Sequence, residues 1–171
     1  KKNILYIVYM TDELKKIIFS QQISKVFSEY NWVINKDSKN KFHSYSVGDI
    51  ADYYLNVRHD NGKIYHQFTL DIEIPDNKFN ELLILINIAN QNLKEGFFVF
   101  DFKCWKINFN LISPYSIKTE ESSLDDFLKI NLDFTKSLFH NFVFGVHNLF
   151  YGEKIESASL ELLFLNNEGC A

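Results

Sequence analysis

The amino-acid sequence predicts an α+β fold: an antiparallel sheet built from two main strand pairs, joined by a central helix and flanked by N- and C-terminal helices. Three observations predict it. Apolar and polar residues alternate on both sides of Asn61-Gly62, and again between Phe97 and Ile112, which is the period of strands. Between these pairs, Phe79, Leu82, Leu83, Ile86, Ala89 and Leu93 recur at helical spacing. Further helical stripes occupy both ends of the chain. The 171 residues suit one domain, 1–171, with 1–11 as an N-terminal arm. Seventeen Phe and 9 Tyr supply packing material, while only 2 Pro and 6 Gly interrupt it.

The first helix is expected to start at Thr11 or Asp12, whose side-chain oxygens can accept first-turn amides, and to end before Asn31-Trp32. Leu14, Ile17, Ile18, Ile23, Val26 and Phe27 form its apolar stripe, and 35–41 reads as a polar connector. A poorly patterned strand follows at 41–47. In the first strand pair, Tyr53, Leu55 and Val57 share one face, opposite Asp52, Tyr54, Asn56 and Arg58. Asn61-Gly62 suits a tight hairpin turn, after which Ile64, His66, Phe68, Leu70 and Ile72 share a face. That register sets Val57 against His66, Leu55 against Phe68, Tyr53 against Leu70, and Asp52 against Asp71. The last pair is like-charged, so it calls for local accommodation or a divalent cation.

Pro75 suits the first turn of the central helix at 76–94, and Gly96 suits its left-handed C-terminal position. Ile84, Leu85 and Ile88 widen its apolar side, either as core beneath the C-terminal helices or as a homo-oligomer contact. The second strand pair, 97–102 and 105–112, turns at Lys103-Cys104 without a glycine. A helix from about Ser123 carries Phe127, Ile130, Phe134, Leu138 and Phe142, and breaks around 144–151 at Gly145 and Asn148. A final helix is expected at 153–165, burying Ile155, Ala158, Leu162 and Leu165.

A net charge of -4 provides no general positive field for a phosphate backbone, which argues against nucleic acid as partner. The apolar run 4–10 is too short to cross a bilayer, which takes about twenty residues, and it lacks a small-residue cleavage pattern. No membrane association is therefore expected, and isolated Cys104 and Cys170 fit a reduced, cytoplasmic setting.

Catalytic motifs are missing from the sequence. Asp71 and Glu73 share a strand face and Asp52 faces Asp71, but paired carboxylates need a substrate-sized space and separated proton affinities for acid/base work. Glu120, Glu121, Asp125 and Asp126 read as a helix-start cluster. Histidines 43, 59, 66, 140 and 147 match no metal motif, and with the helix ended before His147 the set Asp133, His140, His147 does not converge. No glycine-rich phosphate cradle is present, so neither cofactor nor metal is expected.

The segment from Lys63 through Pro75 and the pattern Asn90-x-x-Leu93-x-x-Gly96-x-Phe98 resemble the YbjN family of bacterial proteins, as do Tyr151-Gly152-Glu153-Lys154 and Glu168-Gly169 near the end. The resemblance covers residues 12–171. It departs at Glu153, Cys170 and the Lys103-Cys104-Trp105 turn, where the family more usually has glycine, glutamate and an acidic-glycine turn. It implies a fold similar to type III secretion chaperones and a role in sensory transduction regulation, without catalytic residues to transfer.

The function expected is a non-enzymatic, chaperone-like or regulatory protein-interaction domain, whose partner is another protein or a second copy, with a homodimer as the simplest form. The contact surface is apolar, on the sheet or at Ile84, Leu85 and Ile88. The alternative is a cytoplasmic small-ligand sensor with Tyr54, Tyr65 and Trp105 as aromatic contacts; those residues serve equally as ordinary packing. An uncharacterised hydrolase is the third reading.

Overall fold

The structure, a computed structural model, describes residues 11–38, 41–47, 51–115, 121–152, 154–155 and 157–159. Residues 1–10 of the expected arm at 1–11, and most of the last expected helix, lie outside the described residues, and Thr11 belongs to the start of the first helix. Helix α1 (Asp12–Glu29) leads into strands β1 (Asn35–Ser38), β2 (Lys41–Ser46), β3 (Asp52–Asp60) and β4 (Lys63–Asp71). A short 3-10 turn (Asp76–Lys78) introduces helix α2 (Phe79–Asn92), followed by β5 (Phe97–Asp101), β6 (Lys106–Pro114) and helix α3 (Glu121–Phe150). Among the described residues all strand pairings are antiparallel, in one six-stranded sheet ordered β1-β2-β3-β4-β6-β5. The fold is therefore α+β, with the β3–β4 and β5–β6 pairs joined through α2 and meeting at β4–β6.

Thr11 caps α1 by accepting the Leu14 amide at 3.3 Å, and Asn31 ends it with a φ of 56°. Asn61 and Gly62 take the positive φ values, 48° and 72°, of a two-residue hairpin, and the β3–β4 register is the expected one. The Asp52–Asp71 pair is accommodated from both sides: Lys106 pairs with Asp71 and the Tyr45 hydroxyl donates to Asp52. Among the described residues, no group of three or more His, Cys, Asp or Glu side chains is placed to hold a metal.

The helices gather on one side of the sheet. Phe19 of α1 packs on Phe42 and His59, Phe79 of α2 on Phe100, and Phe139 and Phe142 of α3 on Phe68 and Phe98. The core accordingly collects alternate strand residues: Phe42; Leu55 and Val57; Ile64, Phe68 and Leu70; Phe98 and Phe100; Ile107, Phe109 and Leu111. The Asn90 side chain closes the edge strand β5, accepting from the Phe98 amide at 2.7 Å and donating to its carbonyl at 2.8 Å.

Several expectations are corrected. Residues 35–38 form edge strand β1, since a polar strand can pair along one side while both faces stay wet. Leu14 and Ile17 are exposed while Phe19 joins Ile23, Val26 and Phe27 in the core, because α1 meets the sheet through Phe19, against Phe42 and His59, and packs along α3. Helix α3 continues unbroken through Gly145 and His147 to Phe150, since its buried side, Leu132, Thr135, Phe139, Phe142, Val146 and Leu149, keeps helical spacing across the glycine. That side excludes Ile130, which is 68% exposed. Leu85 is fully buried and so is unavailable as an interface residue.

Candidate functional site

The alternation that buries one side of each strand leaves the other side facing away from the helices. On this open face the cross-strand pairings assemble rows. One row runs Tyr45, Tyr54, Thr69, Asn108, Val99 across β2, β3, β4, β6 and β5. The next runs His43, Asn56, Gln67, Asn110, Phe97, and a third runs Lys41, Arg58, Tyr65, Ile112. Tyr45, Tyr54, Phe97, Val99 and Ile112 are each between 41 and 46% exposed. Large apolar groups therefore flank a central strip of amides, an arrangement that combines contact area with hydrogen-bonding positions.

The amides are partly pre-set. Gln67 donates to the Asn110 side-chain oxygen at 3.1 Å, and the Thr69 hydroxyl donates to that of Asn108 at 2.6 Å. The Gln67–Asn110 bond leaves Gln67 with a carbonyl oxygen and Asn110 with an amide, an acceptor and a donor side by side. Tyr45 and Tyr54 pack ring to ring at 4.9 Å, and the bond from Tyr45 to Asp52 favours the neutral phenol, pushing it up to about 12.

Beside the amide strip lies a shallow groove of about 350 Å³, lined by Lys41, Asn56, Arg58, Tyr65, Gln67, Phe97, Asn110 and Ile112, with the backbone of β4 and β6 as its floor. The Arg58 guanidinium lies over the Tyr65 ring, 4.5 Å from its centroid. Lys41 stands directly across from Arg58 and pairs with Asp37 at 3.2 Å.

Of the aromatic contacts expected from the sequence, Tyr54 and Tyr65 share the open face but sit four residues apart along the ladder, about 13 Å. Trp105 belongs elsewhere. It occupies the β5–β6 turn with a φ of 59° and stacks on Phe79 at 5.1 Å, within a cluster that includes Phe100 and Phe102. The three do not line one pocket. On α2, Ile84 is 51% exposed, Leu85 is buried and Ile88 is partly buried against the core, so the expected broad strip contracts to Ile84.

Arg58 and the amide row were missed as site residues. A signal for Arg58 was present: it is the only arginine among the 18 basic residues of the sequence. A chain that otherwise uses lysine places its one planar, five-donor cation here. The amide row carried no such signal, since its members are scattered along the chain and meet only through strand pairing.

No protein-family model matches the chain, and no curated protein or solved structure matches it either.

Proposed function

We propose that this domain is a non-enzymatic protein-interaction module, chaperone-like or regulatory, that works in the cytoplasm and engages a protein partner through the open face of its sheet. The observation that carries the reading is the distribution of exposed apolar groups: Tyr45, Tyr54, Phe97, Val99 and Ile112 stand on one face that no described helix covers, around a strip of amides. Apolar contacts of this kind supply affinity, and the amides set register. The sequence resemblance to the YbjN family, with its fold similar to type III secretion chaperones, supports the same reading. Two residues of the resembling pattern meet in this chain, where the Asn90 side chain bonds both backbone polar groups of Phe98. The partner is another protein or a second copy of this chain.

A photo-crosslinking side chain at Tyr54 or Val99 tests the proposal. Discrete adducts are expected from these positions, and a crosslinker at Ile84 on α2 should give none. Equal capture from Ile84, or none from the open face, rejects it.

A further inference from the structure

Arg58 breaks a local rule of sheet design. Like charges directly opposite each other across an antiparallel pair are unfavourable, yet Arg58 faces Lys41. Lys41 is offset by Asp37, whereas among the described residues no carboxylate lies within ion-pair distance of Arg58. Its guanidinium carbon instead lies over the Tyr65 ring, 4.5 Å from the centroid, a cation–π contact that holds the group on the open face without using up its hydrogen-bond donors. A planar fork of donors matches a carboxylate, which it binds through two parallel hydrogen bonds. The groove that contains it lies on the sheet face and is partly open to solvent, with the amide row along it. What fits is an extended chain crossing the strands along Asn56, Gln67 and Asn110, whose free donor and acceptor can meet a peptide backbone.

We propose that Arg58 anchors the carboxylate of an acidic, extended peptide segment of the partner, laid along the Asn56–Gln67–Asn110 row of the open face. This rests on the open face being the binding surface and names what it recognises. The row crosses five strands, a span of about 19 Å that takes roughly six extended residues.

The test is titration of the full chain, followed by NMR, with a blocked hexaglutamate peptide, a blocked hexaglutamine peptide and inorganic phosphate. Hexaglutamate should bind and shift the signals of Asn56, Gln67 and Asn110, while hexaglutamine and phosphate bind at least tenfold more weakly. Arg58→Gln should weaken hexaglutamate at least tenfold. Arg58→Lys should recover only part of that, and Lys41→Gln should cost less than threefold. Equal binding of hexaglutamine or phosphate overturns the proposal, as does undiminished binding by Arg58→Gln with an unchanged melting curve. Failure of hexaglutamate to bind while crosslinks from Tyr54 and Val99 persist removes the acidic segment and leaves the interaction face standing. Arg58-dependent binding without those crosslinks does the reverse.

Discussion

His66 lies on the buried side of β4, opposite Val57 and Leu111, and neither ring nitrogen has a hydrogen-bond partner. Burial lowers its pKa from 6.5 to about 4. The unfolded chain therefore takes up a proton as pH falls through 6.5, and the folded one resists until near 4. Stability contributed by this residue is complete above the unfolded value and is lost between the two, by up to about 3 kcal/mol. Urea unfolding from pH 7.5 to 4.5 should show that decline, and His66→Leu should flatten it; an unchanged slope in the variant rejects the assignment. Gly96 and Gly62 make a second comparison. Both have positive φ, but a Cβ at Gly96 would lie 2.4 Å from the Phe109 ring, whereas nothing stands within 4 Å at Gly62. Gly62→Ala should cost about 1 kcal/mol from backbone strain alone, and Gly96→Ala more than about 2 kcal/mol because the core must also shift. Equal losses in thermal melts would remove the packing argument.

At the scale of elements, one side chain covers the edge of β5 at Phe98. Asn90 satisfies both backbone polar groups of Phe98, as a neighbouring strand would. Asn90→Ala leaves them without that partner and should cost about 2–3 kcal/mol. It also uncovers a pairing edge, so concentration-dependent aggregation should rise; a variant that stays as stable and monodisperse as the parent contradicts this. Helices α1 and α3 are joined by charge: Lys25 contacts Asp125 at 2.6 Å, and Lys129 contacts Glu29 at 2.6 Å and Asp125 at 3.5 Å. The hydrogen bond from Lys25 holds the Asp125 carboxyl below its ordinary value of 3.8. That contribution is present above the unfolded carboxyl value and disappears as pH drops through the lowered folded one. Asp125→Asn should abolish this acid limb while leaving the decline due to His66 in place, which melts between pH 7.5 and 2 can separate.

For the whole molecule, the arrangement divides one sheet into two environments. Helices cover one face, so alternate strand residues are fixed by packing; on the other face no described helix imposes that constraint. Across the strands, that freedom produces the pairing of exposed rings with amides and the single arginine stacked on Tyr65. No helix among the described residues is long and apolar enough to cross a membrane.

The sequence by itself determined the local elements whose signals are contained in one segment: the Asn61-Gly62 hairpin with its register, the alternation of β3 to β6, and the helix after Pro75, although that helix ends at Asn92 with an extended Leu93 and Gly96 takes its positive φ in the turn beyond. It misread α3, because a glycine weakens a helix locally while packing of Phe142, Val146 and Leu149 on either side holds it together. It also left the side of α2 undecided, since periodicity measures how wide an apolar stripe is and not what covers it. Only tertiary structure placed Leu85 inside and Ile84 outside, separated Trp105 from Tyr54 and Tyr65, and brought Asn56, Gln67 and Asn110 into one row beside Arg58. Those outcomes depend on which strands become neighbours and which side the helices take, and both are set by long-range burial rather than by any residue's immediate neighbours.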